Sequence, residues 1–359
     1  MPALRIHAGP VARRHLEQHG LRPQDVGIIP AAAGGPKGLI LGPLDRFIFG
    51  QWLVQSHQPV HLMGASIGAW RMATACLNDP VTAFERLERD YIQQHYQLPP
   101  GKKRPSADQV SEAFGHNLRL FYGGRIGEVL HHPRYRLHIV TSHGRHLLGR
   151  EGPLRTPVGY LGAFATNALH RKALGAWLDR VVFSSPGVAE LPFDPSDFRT
   201  RRVALQEANF MDALQASCSI PFALRSVHNI VGAPPGAYWD GGITDYHMHL
   251  RYRPPADAPI VLYPHFQKAV VPGWLDKPWK RRHRATPALE NMLVLAPDPD
   301  WVKALPNAKL PDRQDFMTYG QDLRARVKVW TAAVGAAQQL ADEFAAWLQR
   351  ADLSRVEPL

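Results

Sequence analysis

A strand–loop–helix–strand unit near the start of the chain restricts the fold more than any other feature. Residues 26–30, VGIIP, form a short, apolar, β-branched run of the kind that makes a buried parallel strand. A flexible glycine-rich turn follows, Ala31-Ala32-Ala33-Gly34-Gly35-Pro36-Lys37-Gly38. From about 37 to 55, Leu39, Leu41, Leu44, Phe47, Ile48 and Trp52 recur at helical spacing, and 60–63 reads as a second short strand. Right-handed crossover geometry puts two strands joined in this way side by side in a parallel sheet.

The same alternation continues downstream. Helices are expected at 81–96, 106–120, 159–178 and 208–218, and strands near 136–141, 180–184, 202–206, 237–239, 259–263 and 291–295. Between 312 and 353 almost nothing breaks a helical pattern except Gly320 and Gly335, so one long helix, or one broken at a glycine, is expected there. The proline-rich stretches at 253–259 and 297–311 read as surface connections. A chain of 359 residues, 45% hydrophobic, buries a large core. It reads as an N-terminal helical segment (1–25), a catalytic α/β domain (26–250) and a C-terminal extension (251–359) packed on that domain and ending in the long helix.

The second strand runs directly into Gly64-Ala65-Ser66-Ile67-Gly68, and a helical run follows. Gly-x-Ser-x-Gly alone carries little weight, but a strand before it and a helix after it are what a nucleophile elbow requires. Glycines two residues either side of the serine permit the tight turn. The helix N-terminus then offers orphan N–H groups to negative charge. Gly34 and Gly35 end the neighbouring strand, so parallel geometry brings them to the same sheet edge as Ser66. Their N–H groups and that of Ile67 are the candidate oxyanion donors. A Walker phosphate loop does not fit, because Lys37 is followed by Gly38 rather than Ser or Thr.

Together these segments resemble the patatin-like phospholipase family. That resemblance rests on GGPKG at 34–38, GASIG at 64–68, the helix end ASCSIPF at 216–222 and Asp240-Gly241-Gly242. It covers about 26–245. It implies a three-layer α/β sandwich with a mainly parallel central sheet flanked by helices, plus a C-terminal helical extension. It further implies a Ser66–Asp240 dyad in which Asp240 is general base and acid, an acyl-enzyme intermediate, a fatty-acyl ester or phospholipid substrate, and no cofactor. Gly38, Gly64, Gly68, Gly241 and Gly242 then support the site, with Lys37 where the family often has arginine. Many members carry three consecutive glycines where this chain has Ala33-Gly34-Gly35, so Ala33 is left out of the donors.

Other readings stay open from the residues alone. Asp245 stands close to Asp240 in sequence, and His247 or His249 would serve a Ser-His-Asp triad. These two histidines would share one face of a strand, like a metal pair, but no third ligand is apparent and no metal is expected. A lipid-binding or regulatory scaffold with little turnover would retain the same fold.

The net charge of +11 calls for an anionic partner. No zinc-finger, RNP or basic-zipper pattern points to nucleic acid. The densest basic cluster, KPWKRRHR at 277–284 with Trp274 and Trp279, suits an anionic membrane surface or a phosphate-rich ligand equally well; a solvated loop with inward tryptophans would read the same. Two cysteines in apolar helical patterns, no apolar start and no run near 18 apolar residues point to a cytoplasmic protein, at most peripheral on membranes.

Overall fold

In the computed structural model, which describes residues 1–98, 101–102 and 104–359, the apolar runs join into a single sheet. Its strands are β1 (Leu4–Ala8), β2 (Val26–Ala31), β3 (Val60–Gly64), β4 (Tyr135–Gly144), β5 (Leu178–Ser184) and β6 (Thr200–Ala204). They continue with β7 (Val227–His228), β8 (Ala237–Asp240), β9 (Ile260–Pro264), β10 (Met292–Pro297) and β11 (Val356–Pro358). Across the sheet the order is β11-β1-β10-β9-β2-β3-β4-β5-β6. The centre, β10-β9-β2-β3-β4, is parallel, and β4 pairs antiparallel with β5 and β8. Every residue of β2, β9 and β10 is buried, as strands covered by helices on both faces must be. The fold is the α/β sandwich expected, with a mixed, mostly parallel sheet and a C-terminal helical stretch over 323–349.

Several boundaries differ from the sequence expectation. The N-terminal segment is not only helical: residues before the helix Pro10–His19 form β1, which pairs with β10 and β11. Nothing local marks this strand, because its partners lie at the far end of the chain. The C-terminal third likewise contributes β9, β10 and β11 to the same sheet.

After the glycine loop the helix is not uniform. It runs as a 3-10 turn, Gly35–Leu41, an α segment, Gly42–Phe47, a π turn, Ile48–Trp52, and a final 3-10 turn, Leu53–Gln55. Pro43 lacks the N–H that an α ladder would need at that point, so the helix restarts there with the proline in its first turn.

The helix expected at 159–178 is Arg155–Leu169. His170 is extended, and a 3-10 turn, Arg171–Ala176, leads into β5. The long C-terminal helix is divided as well. A short helix Gln314–Tyr319 ends at Gly320, whose φ of 53° is left-handed. Asp322 then caps a new helix, Leu323–Ala336, by accepting from the Ala325 N–H, and Gln338–Gln349 follows after a joint at Ala337.

Candidate active site

The site forms where two strands approach each other along one edge of β4. Parallel β3 occupies that edge up to the pair Gly64–Ile139, and β8 arrives from the opposite direction to pair Asp240 with Thr141. Strand β5 holds the other edge of β4 over the same residues. The chain ends that leave β3 and β8 therefore meet: one carries Ser66, the other is Asp240.

Ser66 begins the helix Ile67–Ala75 with φ 56° and ψ −132°, a left-handed conformation that a side chain adopts only when its surroundings impose it. The flanking glycines make room for the turn. A Cβ on Gly64 would lie 2.4 Å from the Gly68 carbonyl carbon, and one on Gly68 would lie 2.2 Å from the Ala31 oxygen. The Ser66 N–H donates to both the carbonyl and the hydroxyl of Ser217, each at 3.0 Å.

Ser217 ends the helix Glu207–Ser217, and this helix end clamps both turns. Its carbonyl also accepts from the Gly241 N–H at 3.3 Å, its hydroxyl donates to the Val140 carbonyl at 2.6 Å, and the Ser219 carbonyl accepts from the Asp240 N–H at 2.9 Å. The ASCS segment thus ties Ser66 and Asp240 to one support.

Asp240 is buried, and burial pushes its carboxyl up from an ordinary 3.8 to about 6. The Ser66 hydroxyl facing it is the largest opposing influence, followed by the positive charge of Arg313 and the Gly242 N–H, which donates to Oδ1 at 2.7 Å. Asp245 is engaged elsewhere: its two oxygens accept from Arg180 Nε and Nη2 at 2.7 and 2.6 Å.

The glycine loop reaches the same edge. The Ala33 N–H donates to the Tyr246 carbonyl at 2.8 Å, which independently removes it as an oxyanion donor. The N–H groups of Gly34, Gly35 and Ile67 have no partner among the described residues. Gly35 has φ 58°, the left-handed region that favours glycine, and a Cβ on Gly34 would lie 2.7 Å from the Phe266 ring. Gly38 passes close to the Ile67 side chain, 3.3 Å from a built Cβ. Lys37 Nζ stands 5.6 Å from the centre of the Phe266 ring, and desolvation lowers its pKa.

A buried pair holds loop and elbow together. Arg71, on the elbow helix, donates from Nε and Nη2 to both oxygens of Asp45, each at 2.7 Å. Asp45 lies in the α segment just after the loop, so this pair fixes the donors relative to Ser66. Sequence reading passed over it, since an Arg and an Asp 26 residues apart share no local pattern.

His247 and His249 do not lie on a strand; they follow the short helix Gly242–Asp245, with Met248 between them at φ 51°. His249 is bonded to the Val270 carbonyl at 2.8 Å and the Thr286 hydroxyl at 2.9 Å. His247 Nδ1 lies 3.1 Å from both the Ala269 carbonyl and His265 Nε2. Burial lowers the pKa of both rings, and neither hydrogen-bonds Ser66 or Asp240. Among the described residues no group of three or more metal-ligating side chains converges.

Ser66 opens into a cavity of about 340 Å³, with Gly35 and Ile67 beside it. Its walls are largely apolar and aromatic: Trp70, Tyr91, Phe114, Leu224, Phe316 and Met317 among them. Arg313, Phe316 and Met317 come from the C-terminal extension and were invisible to motif reading. Lys277, from the basic cluster, also approaches. Its Nζ stands 4.1 Å from the Tyr246 ring centre, and lost solvation, then Arg313 and Lys37, bring its pKa down to about 8.

A family model for patatin-like phospholipase matches residues 34–247, more than half of the chain. Comparison with curated proteins and with solved structures returns no match. No helix of the described residues is long and apolar enough to cross a membrane.

Proposed function

The chain belongs to the patatin-like phospholipase family, and from that premise we propose that it hydrolyses fatty-acyl esters through a Ser66–Asp240 dyad. The observation that carries this reading is the meeting of a strained, clamped serine with a desolvated carboxylate that lacks an arginine partner. The Asp240 carboxylate accepts the Ser66 proton as Oγ attacks the acyl carbonyl. Coupling the two events matters, because a carboxylate raised only to about 6 is a modest base. The carbonyl oxygen, becoming negative, is met by the N–H groups of Gly34, Gly35 and Ile67. Such donors contribute about 3 to 4 kcal/mol each when removed one at a time. Asp240 returns its proton to the leaving alcohol, and an acyl-enzyme remains. Water then attacks with Asp240 again as base, and Ser66 is restored.

The apolar cavity supports a hydrocarbon acyl chain as the bound part of the substrate. Arg313 and Lys277 add positive charge around the reacting centre and help keep Asp240 ionised. Incubation with a fluorophosphonate and peptide mass spectrometry tests the reading. Ser66 should be the modified residue, and Ser66→Ala should abolish both labelling and ester turnover. Folded protein that turns over esters with Ser66 unlabelled would refute it.

A further inference from the structure

The helix Arg155–Leu169 has two apolar faces. One faces inward through Thr156, Gly159, Tyr160, Ala163 and Asn167, packing on Leu148, Leu174 and Trp239. The other is largely uncovered: Leu154 is 78% exposed, Val158 55%, Leu161 69% and Leu169 85%, and Phe164, 37% exposed, lies among them beside Trp279. These positions recur at helical spacing, so they form one stripe. An exposed apolar surface of this kind on a rigidly anchored helix marks a contact surface.

We propose that this face docks on an anionic lipid bilayer. No acidic residue occurs from Gly152 to Leu178, whereas Arg155, His170 and Lys172 are exposed there; Arg171 is paired with the buried Asp276. The basic segment 277–284 is fastened to the same surface. Arg282 donates to the Asn167 and Ala168 carbonyls at the end of the helix, at 2.8 and 3.0 Å, and the Trp279 ring stacks on Phe164 with centres 6.3 Å apart. Lys280, Arg281 and Arg284 are thereby left exposed beside the stripe. Apolar side chains bordered by exposed cations match a headgroup layer of negative charge over hydrocarbon. A second copy fits less well, because a two-fold contact would set the basic rims against each other.

Position adds a functional sense. Phe222, 63% exposed, touches Tyr160 of this helix with ring centres 5.9 Å apart, and it also lines the cavity that holds Ser66. The helix that docks therefore reaches the cavity wall through its inward face, and an acyl chain passing from the bilayer to Ser66 has that wall beside it. That last step rests on Ser66 acting as an acyl hydrolase; the docking itself does not.

Vesicle sedimentation of the full chain tests the proposal, using vesicles of phosphatidylcholine alone or mixed with phosphatidylglycerol. The protein should partition onto the mixed vesicles and much less onto the zwitterionic ones. Leu161→Glu with Leu169→Glu, and separately Lys280→Glu with Arg281→Glu, should each weaken that partition by about tenfold or more. Hydrolysis of a water-soluble short-chain ester should be unchanged in both. Ser66→Ala should bind vesicles as the parent does, so a failed hydrolase reading and a failed docking face give different results. Equal binding to both vesicle types, or unaltered binding by the Leu161/Leu169 variant, would overturn the assignment. So would a dimer in gel filtration that this variant dissociates.

Discussion

Asp240 and Asp245 stand on either side of the same Gly-Gly turn, both buried, yet their surroundings give them opposite work. Asp245 receives a two-pronged arginine: Arg180 is itself fully buried and also reaches Asp197 at 2.7 and 2.9 Å. A carboxylate so paired has its charge satisfied. Asp240 has only a serine hydroxyl, one backbone N–H and cations at longer range. Burial without a paired cation is what raises its proton affinity. The difference between the two aspartates lies in the partner rather than in the depth.

The sharpest way to break this contrast is to neutralise each carboxylate in turn. Asp240→Asn should lower ester turnover by about 10³-fold. It should also stabilise the fold at pH 8, by as much as roughly 3 kcal/mol. The sign follows from a folded-state value of about 6 above an ordinary 3.8. The native carboxyl holds its proton more tightly than the unfolded one, so its ionisation costs stability as pH rises through this window. The gain should vanish below about pH 4, near the unfolded value. Thermal melts at the two pH values measure it, and an Asp240→Asn protein that is less stable at pH 8 would remove the desolvation account.

Asp245→Ala should do the reverse. It leaves Arg180 buried with Asp197 as its remaining carboxylate, and should cost about 3 kcal/mol in denaturant unfolding. The folded fraction should keep its turnover within a few-fold. If turnover fell as far as in Asp240→Asn, the division of roles would be wrong.

A third change perturbs geometry without touching charge. A Cβ on Gly242 would lie 2.7 Å from the Ala33 Cβ and 2.9 Å from Asp240 Oδ1. Gly242→Ala should displace the carboxylate and lower kcat by about 30-fold, with substrate binding little altered. The smallest effect concerns the distant cations. Turnover needs ionised Asp240, so kcat/KM of the parent should fall as pH drops through about 6. Lys277→Met removes one positive charge from that neighbourhood and should move this acidic limb upward by roughly a few tenths of a unit. A limb that stayed in place would assign Lys277 no electrostatic part.

The parts of this site that a linear reading finds are those whose constraint is local. Gly64 and Gly68 are required by the turn between them, and the loop at Gly34 and Gly35 follows from a strand meeting a helix. Asp240 was reached through family resemblance. The reason that it meets Ser66 is not local at all: β8 must enter the edge of β4 where β3 stops. The Asp45–Arg71 tie, the cavity wall from Phe316 and Met317, and β1 beside β10 all depend on residues brought together only by the finished sheet. Alternating His247 and His249 suggested a strand face, but the backbone turns at Met248, and pattern alone does not record a turn of that kind.

The junction on β4 has one more consequence. Ile139 and Thr141, the partners of Gly64 and Asp240, are consecutive positions on one face of a single buried strand. The spacing between the end of β3 and Asp240 is therefore a dimension of the sheet, set by the rise of the backbone along β4. Surface segments around the cavity can vary in length and composition without retuning that spacing, whereas a single-residue insertion between Ile139 and Thr141 would move Asp240 relative to the turn that carries Ser66.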